Sequence, residues 1–490
     1  MHPQPIPSND YTVLFGEQEL PVYTCRISAF PFNSHWPGHQ RPLDQTVTAS
    51  FVSITSEEAV SLTVVPHIPC EEPILKPRSK EIPLQKNNDT LHMTFNEAGG
   101  YVLMPGHYAH CLYIFVNRPI AAPDPNSVTH FFGPGVHHVG ELTLHSGDSI
   151  YADKDAYIFG CLYAENAENI RIFGNGVFDD TMEKRTDANC TTSNGNVKLK
   201  NCRNVHIEGV GFTNSASWCI SMFDCRDISI DSIRIFGQWR YNTDGIDAVN
   251  SVRVTIRNSF IHSFDDCIVI KGYPHFNNTV CEDILAEHNT LWCDWGKTLE
   301  LGLETFASAF RRITFRDCDV IRAGNCLCDI GNGDCAFISD VLFEDIRMEL
   351  ESFYTPSVLQ TTDTQTYLPP EGCEIASIVG IHNNWRMAEC YPLWKETDYE
   401  KLSDAPKKGT SQFAGVKNIT LRNIHVLPSK ALQTIHRGTF ANGYIINGMP
   451  DTWFQNIVME NIMVCGKPAG RDDRNLHVEG NVELLRKSSY

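Results

Sequence analysis

The chain has 490 residues, of which 42 % are hydrophobic and 20 % are charged, and its net charge is -19. This length is enough for two domains, or for one domain with a large appendage. The acidic balance argues against nucleic acid as a partner, because phosphate binding requires a basic face. No apolar run approaches the roughly 20 residues that span a bilayer, so we expect no membrane partner.

The N-terminal sequence and the cysteines give information about the cellular compartment of the protein. The first residues contain no basic segment followed by an apolar core, so no secretion signal is recognisable. Many of the 18 cysteines replace aliphatic residues inside strand-like runs, as Cys202, Cys267 and Cys281 do, which is typical of reduced core thiols. These features predict a cytoplasmic protein, or a secreted one if a leader has been removed. The absence of a Cys-x-x-Cys pair argues against a structural zinc site.

Residues 1–135 contain strand-like stretches at 46–54 and 61–65, with many prolines between them and no long-period repeat. This pattern predicts a small N-terminal antiparallel β-sandwich.

Residues 136–490 follow a repeated phrase that begins with a polar residue, usually Asn or Asp, and continues with alternating aliphatic residues. Between Val205 and Val341 the second position of the phrase recurs at steps of 23, 26, 30, 29 and 28 residues. Alternation indicates strands, and a period of this length indicates a solenoid whose coils bury their core by stacking. The sequence therefore predicts an all-β chain in which the sandwich precedes a right-handed parallel β-helix. The phrases begin at Asn169, Asn204, Asp227, Arg253, Asp283, Arg312, Asp340, Asn418 and Asn456.

The repeat is interrupted at about 352–412, where the next phrase arrives after 78 residues. Long insertions in solenoids form loops on one face. The insertion is interpreted either as one wall of a binding groove or as a solvent-facing excursion.

Two fragments carry the main chemical signal, Asn-Thr-Asp-Gly at 242–245 and Asp-Asp-Cys at 265–267. Asp244 precedes Asp265 by 21 positions, about one coil, so stacking brings Asp244, Asp265 and Asp266 to one face. Crowded carboxylates repel one another and are rarely placed together without a chemical use. The alternative is that these aspartates cap turns, as Asp commonly does.

Aligning successive coils by their phrases gives two predicted rows of side chains. The first row contains Asp244, Asp266, Lys297 and Asn325. The second row contains Asp247, Val269, Glu300 and Cys328.

These fragments and the coil pattern resemble the polygalacturonase family, glycoside hydrolase family 28, over roughly residues 140–348. The sandwich followed by a β-helix is also similar to family 49, the dextranases and isopullulanases. The resemblance implies inverting hydrolysis of a glycosidic bond without a cofactor. It implies that Asp265 is the general acid, and that Asp244 and Asp266 hold and deprotonate the attacking water. Inversion usually places the acid and the base roughly 6.5–9.5 Å apart.

The sequence departs from the polygalacturonase pattern at the substrate. Lys297 stands where the family has the histidine of Gly-His-Gly, and the family's Arg-Ile-Lys falls on Cys328-Asp329-Ile330. A bidentate arginine–carboxylate contact cannot be replaced by cysteine, so galacturonate is not expected as the substrate. Acidic and aromatic neighbours suit a neutral glycan or oligosaccharide. The predicted substrate-binding residues are Lys297, Glu300, Asp247, Asp294, Trp295, Glu304 and Lys271, and no metal ligands are predicted.

Two other classes stay open. A polysaccharide lyase also uses a β-helix with acidic residues and a basic side chain, and its product would be unsaturated and sensitive to a chelator. A non-catalytic carbohydrate-binding solenoid would keep binding sugar after Asp265→Asn. The sequence leaves the oligomeric state, the sugar and the linkage undetermined.

Overall fold

A computed structural model describes residues 2–28, 43, 46–106, 109–183, 195–273, 276–334, 336–350, 352–356, 370–383, 415–428, 443–448, 452–464, 466–469 and 476–487. These residues form 42 β-strands and two short 3-10 helices at Arg78–Lys80 and Pro125–Ser127. None of the helices in this part of the chain is both long and apolar enough to cross a membrane.

Two five-stranded sheets at the N-terminus pack face to face around a shared apolar core. The first sheet contains β1 (Tyr11–Phe15), β2 (Gln18–Leu20), β5 (Val60–Pro66), β7 (Leu84–Asn87) and β8 (Thr90–Phe95). The second sheet contains β3 (Tyr23–Ser28), β4 (Thr46–Thr55), β6 (Ile74–Lys76), β9 (Gly99–Met104) and β10 (Leu112–Asn117). The strands pair antiparallel except for β4 and β10, which pair in parallel. The sandwich is therefore mixed, whereas the sequence predicted a purely antiparallel one.

The remaining strands form one continuous parallel solenoid of 30 strands. They are β11 (His130–Phe132), β12 (Gly135–Leu144), β13 (Ser149–Ala152), β14 (Ala156–Glu165), β15 (Glu168–Gly174), β16 (Val177–Asp179), β17 (Val197–Lys200), β18 (Arg203–Glu208), β19 (Gly211–Thr213), β20 (Ile220–Phe223), β21 (Arg226–Asp231), β22 (Arg234–Ile235), β23 (Ile246–Val249), β24 (Val252–Arg257), β25 (Phe260–Ser263), β26 (Ile268–Gly272), β27 (Val280–Glu287), β28 (Thr290–Cys293), β29 (Lys297–Thr305), β30 (Ala309–Arg316), β31 (Asp319–Arg322), β32 (Cys326–Asn332), β33 (Phe337–Leu350), β36 (Ser377–Asn383), β37 (Val416–Pro428), β38 (Gly443–Asn447), β39 (Phe454–Val464), β40 (Lys467–Pro468), β41 (Leu476–Glu479) and β42 (Val482–Lys487). A separate antiparallel pair consists of β34 (Ser352–Pro356) and β35 (Pro370–Ile375).

In the middle of the solenoid each strand pairs in parallel with the third strand after it, so three strands make one coil. Stacked coils therefore build three ladders. Ladder A contains β18, β21, β24, β27, β30 and β33; ladder B contains β19, β22, β25, β28 and β31; ladder C contains β20, β23, β26, β29 and β32. The inward side chains form one continuous apolar core, and the predicted all-β class with a parallel β-helix after a sandwich is confirmed.

The repeated phrase of the sequence has a conformational origin. All nine residues that begin a phrase, from Asn169 to Asn456, have φ between 53° and 60° and lie near the start of strands in line with ladder A. Asn and Asp tolerate this left-handed conformation better than other residues with a side chain. Their amides also stack between coils, since Asn456 Nδ2 donates to Asn418 Oδ1 over 2.9 Å and Asn418 Nδ2 donates to Asp340 Oδ1 over 2.9 Å.

The structure differs from the predicted boundaries at two places. The solenoid begins at β11, a few residues before position 136, because β11 pairs in parallel with β13. Within the predicted insertion, β36 belongs to the solenoid and pairs with β32 and β38. The rest of 352–412, apart from β34, β35 and residue 376, lies outside the described residues, so the groove-wall interpretation stays a prediction.

The sandwich lies directly against the solenoid. The outer face of its second sheet joins residues of ladder B in one buried cluster that includes Phe51, Phe115, Phe236 and Phe260. Phe51 and Phe236 have ring centroids 4.7 Å apart, and Phe115 and Phe236 have centroids 5.0 Å apart. Because both faces of this sheet are buried, β10 is apolar almost throughout rather than alternating.

Candidate active site

The predicted aspartates lie in successive turns between ladder B and ladder C. Asp244 lies between β22 and β23, and Asp265 and Asp266 lie between β25 and β26. One carboxyl oxygen of each lies within 4.8 Å of one from each of the others. The three residues are buried, with exposed fractions of 1 %, 5 % and 7 %. The predicted clustering of Asp244, Asp265 and Asp266 is therefore present in the structure.

A glycine makes this packing possible. Gly296 lies in the next turn, and a Cβ atom there would approach Asp265 Oδ1 and Asp266 Oδ1 to 2.4 Å each. The backbone N–H of Lys297 donates to Asp266 Oδ1 over 2.7 Å. The turn that follows β28 thus packs against two carboxylates of the cluster and supports their positions.

Lys271 supplies the central positive charge. Its Nζ lies 2.9 Å from Asp244 Oδ2, 3.2 Å from Asp247 Oδ1, and 4.0 Å from carboxylate oxygens of Asp266 and Glu304. The same Nζ lies 4.0 Å from the centre of the Trp218 ring. Burial alone would lower the pKa of Lys271, but the neighbouring carboxylates, Asp244 first, raise it well above its usual value. Lys271 is therefore an ammonium that balances the charge of the cluster, at 5 % exposure.

Burial and neighbouring charges shift the pKa values of Asp244, Asp265 and Asp247. Burial raises the pKa of Asp244 to about 6, where Lys271 lowers it and Asp266 raises it further. Burial, then the charges of Asp266 and Asp244, raise the pKa of Asp265 well above its usual value, against the pull of the two lysines. Burial and the adjacent Asp244 also raise the pKa of Asp247. Crowding and dehydration thus favour the protonated form of Asp265, whereas the Lys271 ammonium favours the ionised form of Asp244.

The second predicted row, which begins at Asp247, is shifted by one residue at its last coil. Asp247 pairs with Val269 and Val269 pairs with Glu300, as predicted, but the partner of Glu300 on β32 is Asp329, and Cys328 pairs with Leu299. Cys328 is part of the solenoid core. The prediction that Cys328 stands in the row of Glu300 is therefore wrong. In the other row, Lys297 pairs with Cys326 rather than with Asn325.

Asp329 is a site residue that the sequence analysis did not select. Tyr444 Oη donates to Asp329 Oδ1 over 2.9 Å, and His382 Nε2 lies 3.7 Å from Oδ2. Burial works to raise the pKa of Asp329, but His382, Lys297 and Tyr444 together hold it below its usual value. Alternation along β32 was the available signal for Asp329, whereas Tyr444 lies 115 residues away and had none.

Glu300 and Lys297 form a pair beside the aspartates. Lys297 Nζ lies 3.3 Å from Glu300 Oε1, and the lysine side chain is 18 % exposed. Burial, then the charge of Asp266, raise the pKa of Glu300 well above its usual value. Glu300, Lys297 and Glu304 therefore lie beside the cluster, and their role in substrate binding stays a prediction.

Two predicted substrate-binding residues lie elsewhere. Asp294 is 1 % exposed and lies 3.1 Å from His262 Nε2, on the side of the turn that faces the sandwich. Trp295 is 8 % exposed and packs against Tyr241 and Phe264. Both side chains contact protein groups here, and their role in substrate binding stays a prediction.

Among the residues that the structure describes, two groups have a spacing that could hold a metal ion. One is the aspartate cluster, where the Lys271 ammonium already supplies positive charge. The other contains Cys161, Asp180 and Glu183. Among the 13 cysteines that the structure describes, none forms a disulfide.

A parallel β-helix that carries clustered, buried carboxyl groups on one face is an arrangement suited to acid–base chemistry on a bound substrate. Residues 136–384 match the family model of the glycosyl hydrolases family 28. Because this match covers half of the chain, the protein belongs to that family. The predicted resemblance is confirmed.

The chain is also similar to a curated protein and to two solved structures. The chain is 25 % identical over 220 residues to exopolygalacturonase clone GBGE184 of Arabidopsis thaliana, which covers 42 % of this chain and 49 % of that protein. The chain thus spans about half the length of this relative. The structure of Dex49A from Penicillium minioluteum superposes with a TM-score of 0.56 at 11 % identity, over 98 % of this chain and 89 % of that one. An exopolygalacturonase from Thermotoga maritima gives a TM-score of 0.48 at 17 % identity, over 74 % and 85 % of the two chains.

Proposed function

We propose that this protein is a glycoside hydrolase in which Asp265 is the general acid and Asp244 and Asp266 activate water. The observation that carries the proposal is the cluster of three buried carboxyl groups in which burial and neighbouring charges raise the pKa of Asp265 well above its usual value, while the Lys271 ammonium lies 2.9 Å from Asp244. In the reaction, water oxygen attacks the anomeric carbon and gives a proton to the Asp244–Asp266 pair. The glycosidic C–O bond breaks, and Asp265 protonates the leaving oxygen.

We also propose that the reaction inverts the anomeric centre. The support for this is the motif resemblance to polygalacturonases and the membership in their family. The oxygen separation within 4.8 Å is shorter than the about 6.5–9.5 Å that usually accompanies inversion. The anomer of the first product is therefore the measurement that decides this part of the proposal.

The proposed substrate is a neutral glycan or oligosaccharide. Carboxyl groups outnumber ammonium groups in the cluster and beside it, and both lysines already contact carboxylates. A uronate carboxylate placed there would meet like charges. The row of Glu300 offers no arginine guanidinium to bind it, because the residue of β32 in register with Glu300 is Asp329. The carboxyl groups are Asp244, Asp247, Asp265, Asp266, Glu300, Glu304 and Asp329. Cytoplasmic location stays a prediction.

The test is hydrolysis of neutral α-glucans, neutral oligosaccharides and polygalacturonate by the wild type and by Asp265→Asn, with the first-formed anomer followed by NMR. Polygalacturonate belongs in the panel because matched relatives are named polygalacturonases. We expect a neutral product of inverted configuration, and a loss of activity by about 10²–10⁴-fold in the variant, typical of a missing general acid.

The matched control is Asp227→Asn, which changes an exposed aspartate that pairs with Arg253 on the outside of the solenoid. It should keep wild-type activity. Retained activity in Asp265→Asn would remove the acid role from this residue. Turnover of polygalacturonate in preference to the neutral sugars would refute the substrate class, and a product of retained configuration would refute inversion.

A further inference from the structure

A buried chain of three polar residues connects the sandwich to the candidate active site. Tyr113 on β10 belongs to the sandwich, His262 lies on β25, and Asp294 follows β28. Tyr113 Oη and His262 Nδ1 are 2.6 Å apart, and His262 Nε2 lies 3.1 Å from Asp294 Oδ1. The exposed fractions are 0 %, 0 % and 1 %, so water does not compete for these contacts.

The direction of the hydrogen bond between Tyr113 and His262 follows from the chemistry of the groups. Burial, followed by nearby acidic groups, raises the pKa of Tyr113 well above its usual value, so its hydroxyl keeps its proton and donates to His262 Nδ1. On the other side of the ring, Nε2 faces the Asp294 carboxyl group at ion-pair distance but without the geometry of a hydrogen bond. The imidazole also stacks on Trp292, with ring centroids 4.0 Å apart and an interplanar angle of 10°. The ring of His262 is thereby fixed on its edges and on one face.

The neighbours of His262 and Asp294 hold the backbone of Asp265. Ser263, next to His262, donates its hydroxyl to the carbonyl oxygen of Asp265 over 2.6 Å. Cys293, next to Asp294, lies with its Sγ 3.2 Å from the same oxygen. Both contacts come from residues adjacent to the polar chain, so a shift of His262 or Asp294 is transmitted to Asp265.

The turn after Asp294 reaches the other carboxylate. It contains Gly296, which packs against Asp265 and Asp266, and Lys297, whose N–H donates to Asp266. The same turn is tied to the coil before it by the bond from Asp294 N to the carbonyl of Ser263, at 3.1 Å. The position of Asp294 therefore determines the position of this turn, which packs against Asp265 and Asp266.

We propose that Tyr113 of the sandwich is a positioning residue of the active site, acting through His262 and Asp294 on the two turns that hold Asp265 and Asp266. The sandwich then contributes to the chemistry as well as to the stability of the solenoid. The kinetic consequence rests on the proposed hydrolase function, whereas the structural consequence does not.

The experiment compares Tyr113→Phe with Tyr11→Phe by hydrogen exchange and by hydrolysis kinetics. Tyr11 is the matched control, because it is a buried sandwich tyrosine whose hydroxyl donates to the His110 carbonyl over 2.6 Å, within the core between the two sheets. Asp294→Asn is a second variant, which keeps the side-chain volume and removes the negative charge that faces His262 Nε2 at the other end of the chain.

We expect Tyr113→Phe to increase exchange of the amides of residues 294–297 by about 10-fold, with little change elsewhere. We expect kcat to fall by about 10-fold and KM to change by less than about 2-fold, because the loss is one of alignment at the reacting groups. Asp294→Asn should show the same local exchange, and Tyr11→Phe should show neither effect.

Unchanged exchange at 294–297 in both chain variants overturns the inference, whatever the activity. So does an increase spread evenly over the molecule, since that reports a purely structural role for the hydroxyl. Wild-type protein that hydrolyses no glycoside would refute the proposed function and leave the exchange result to decide this inference. An active wild type with full kcat in Tyr113→Phe would also overturn it.

Discussion

At the scale of single residues, the site depends on how one lysine divides the charge among several carboxyl groups. Lys271 Nζ lies 2.9 Å from Asp244 Oδ2, and this ammonium is the largest influence that lowers the pKa of Asp244. For Asp265 the lowering by Lys297 is larger than that by Lys271, and the charges of Asp266 and Asp244 raise the pKa. This difference supports the proposed base role of Asp244 and the proposed acid role of Asp265.

Lys271→Met tests this division through the pH dependence of kcat/KM. Activity requires ionised Asp244, so in the wild type it should rise through about pH 6, the pKa to which burial raises this residue. Removing the ammonium takes away a contact that lowers this pKa, so the acid limb should move to higher pH, and kcat should fall.

Lys154→Met is the control, because Lys154 is an exposed residue that pairs with Asp155 away from the cluster. An acid limb that stays in place or moves to lower pH in Lys271→Met would contradict the role given to this lysine.

At the scale of elements, the turns between ladder B and ladder C determine how closely the carboxylates approach. Gly296→Ala places a methyl group 2.4 Å from carboxylate oxygens of both Asp265 and Asp266, and 2.6 Å from the backbone nitrogen of Asp266. We expect kcat to fall by about 100-fold with the fold retained, since displacements of about 1 Å in an active site have effects of this size.

Circular dichroism and kinetics together check this prediction. Gly133→Ala is the matched control, because a Cβ at Gly133 meets only a Phe131 ring carbon at 3.5 Å, an ordinary contact. Full activity in Gly296→Ala would show that the turn yields to the methyl group and does not position the aspartates.

The second structural feature at the scale of elements is the residue with a left-handed backbone conformation at the corner of each coil. Asn418→Ala removes a residue with φ of 56° whose amide donates to Asp340 and accepts from Asn456. We expect the free energy of unfolding to fall by about 1–2 kcal/mol, from backbone strain and the lost hydrogen bonds. Urea unfolding measures it, with the exposed neighbour Lys417→Ala as control. Equal stability of the two variants would contradict a structural role for the corner.

At the scale of the whole molecule, the sandwich and the solenoid share a buried aromatic cluster, which favours their unfolding as one unit. Phe236 of the solenoid is fully buried between Phe51 and Phe115 of the sandwich. We expect a single unfolding transition, with the same midpoint by far-UV circular dichroism and by tryptophan fluorescence. Phe236→Ala should lower the free energy of unfolding by about 3–5 kcal/mol.

Phe315→Ala, the same truncation inside the solenoid core against Phe343, measures the cost of a phenylalanine cavity away from the interface. Two separated transitions in the wild type would show that the sandwich and the solenoid unfold independently.

Local information in the sequence determined the all-β class, the repeat and the aspartate cluster. Alternation and a left-handed Asn or Asp at each corner are properties of neighbouring residues, and turns one coil apart meet because coils stack. The tertiary structure alone decided which β32 residue faces Glu300, since one residue of register exchanges core and groove. It also decided that Tyr444 contacts Asp329, and that Tyr113 contacts His262 across 149 residues. The pKa of each carboxyl group is likewise decided by the tertiary structure, because it depends on burial and on charges that other coils supply.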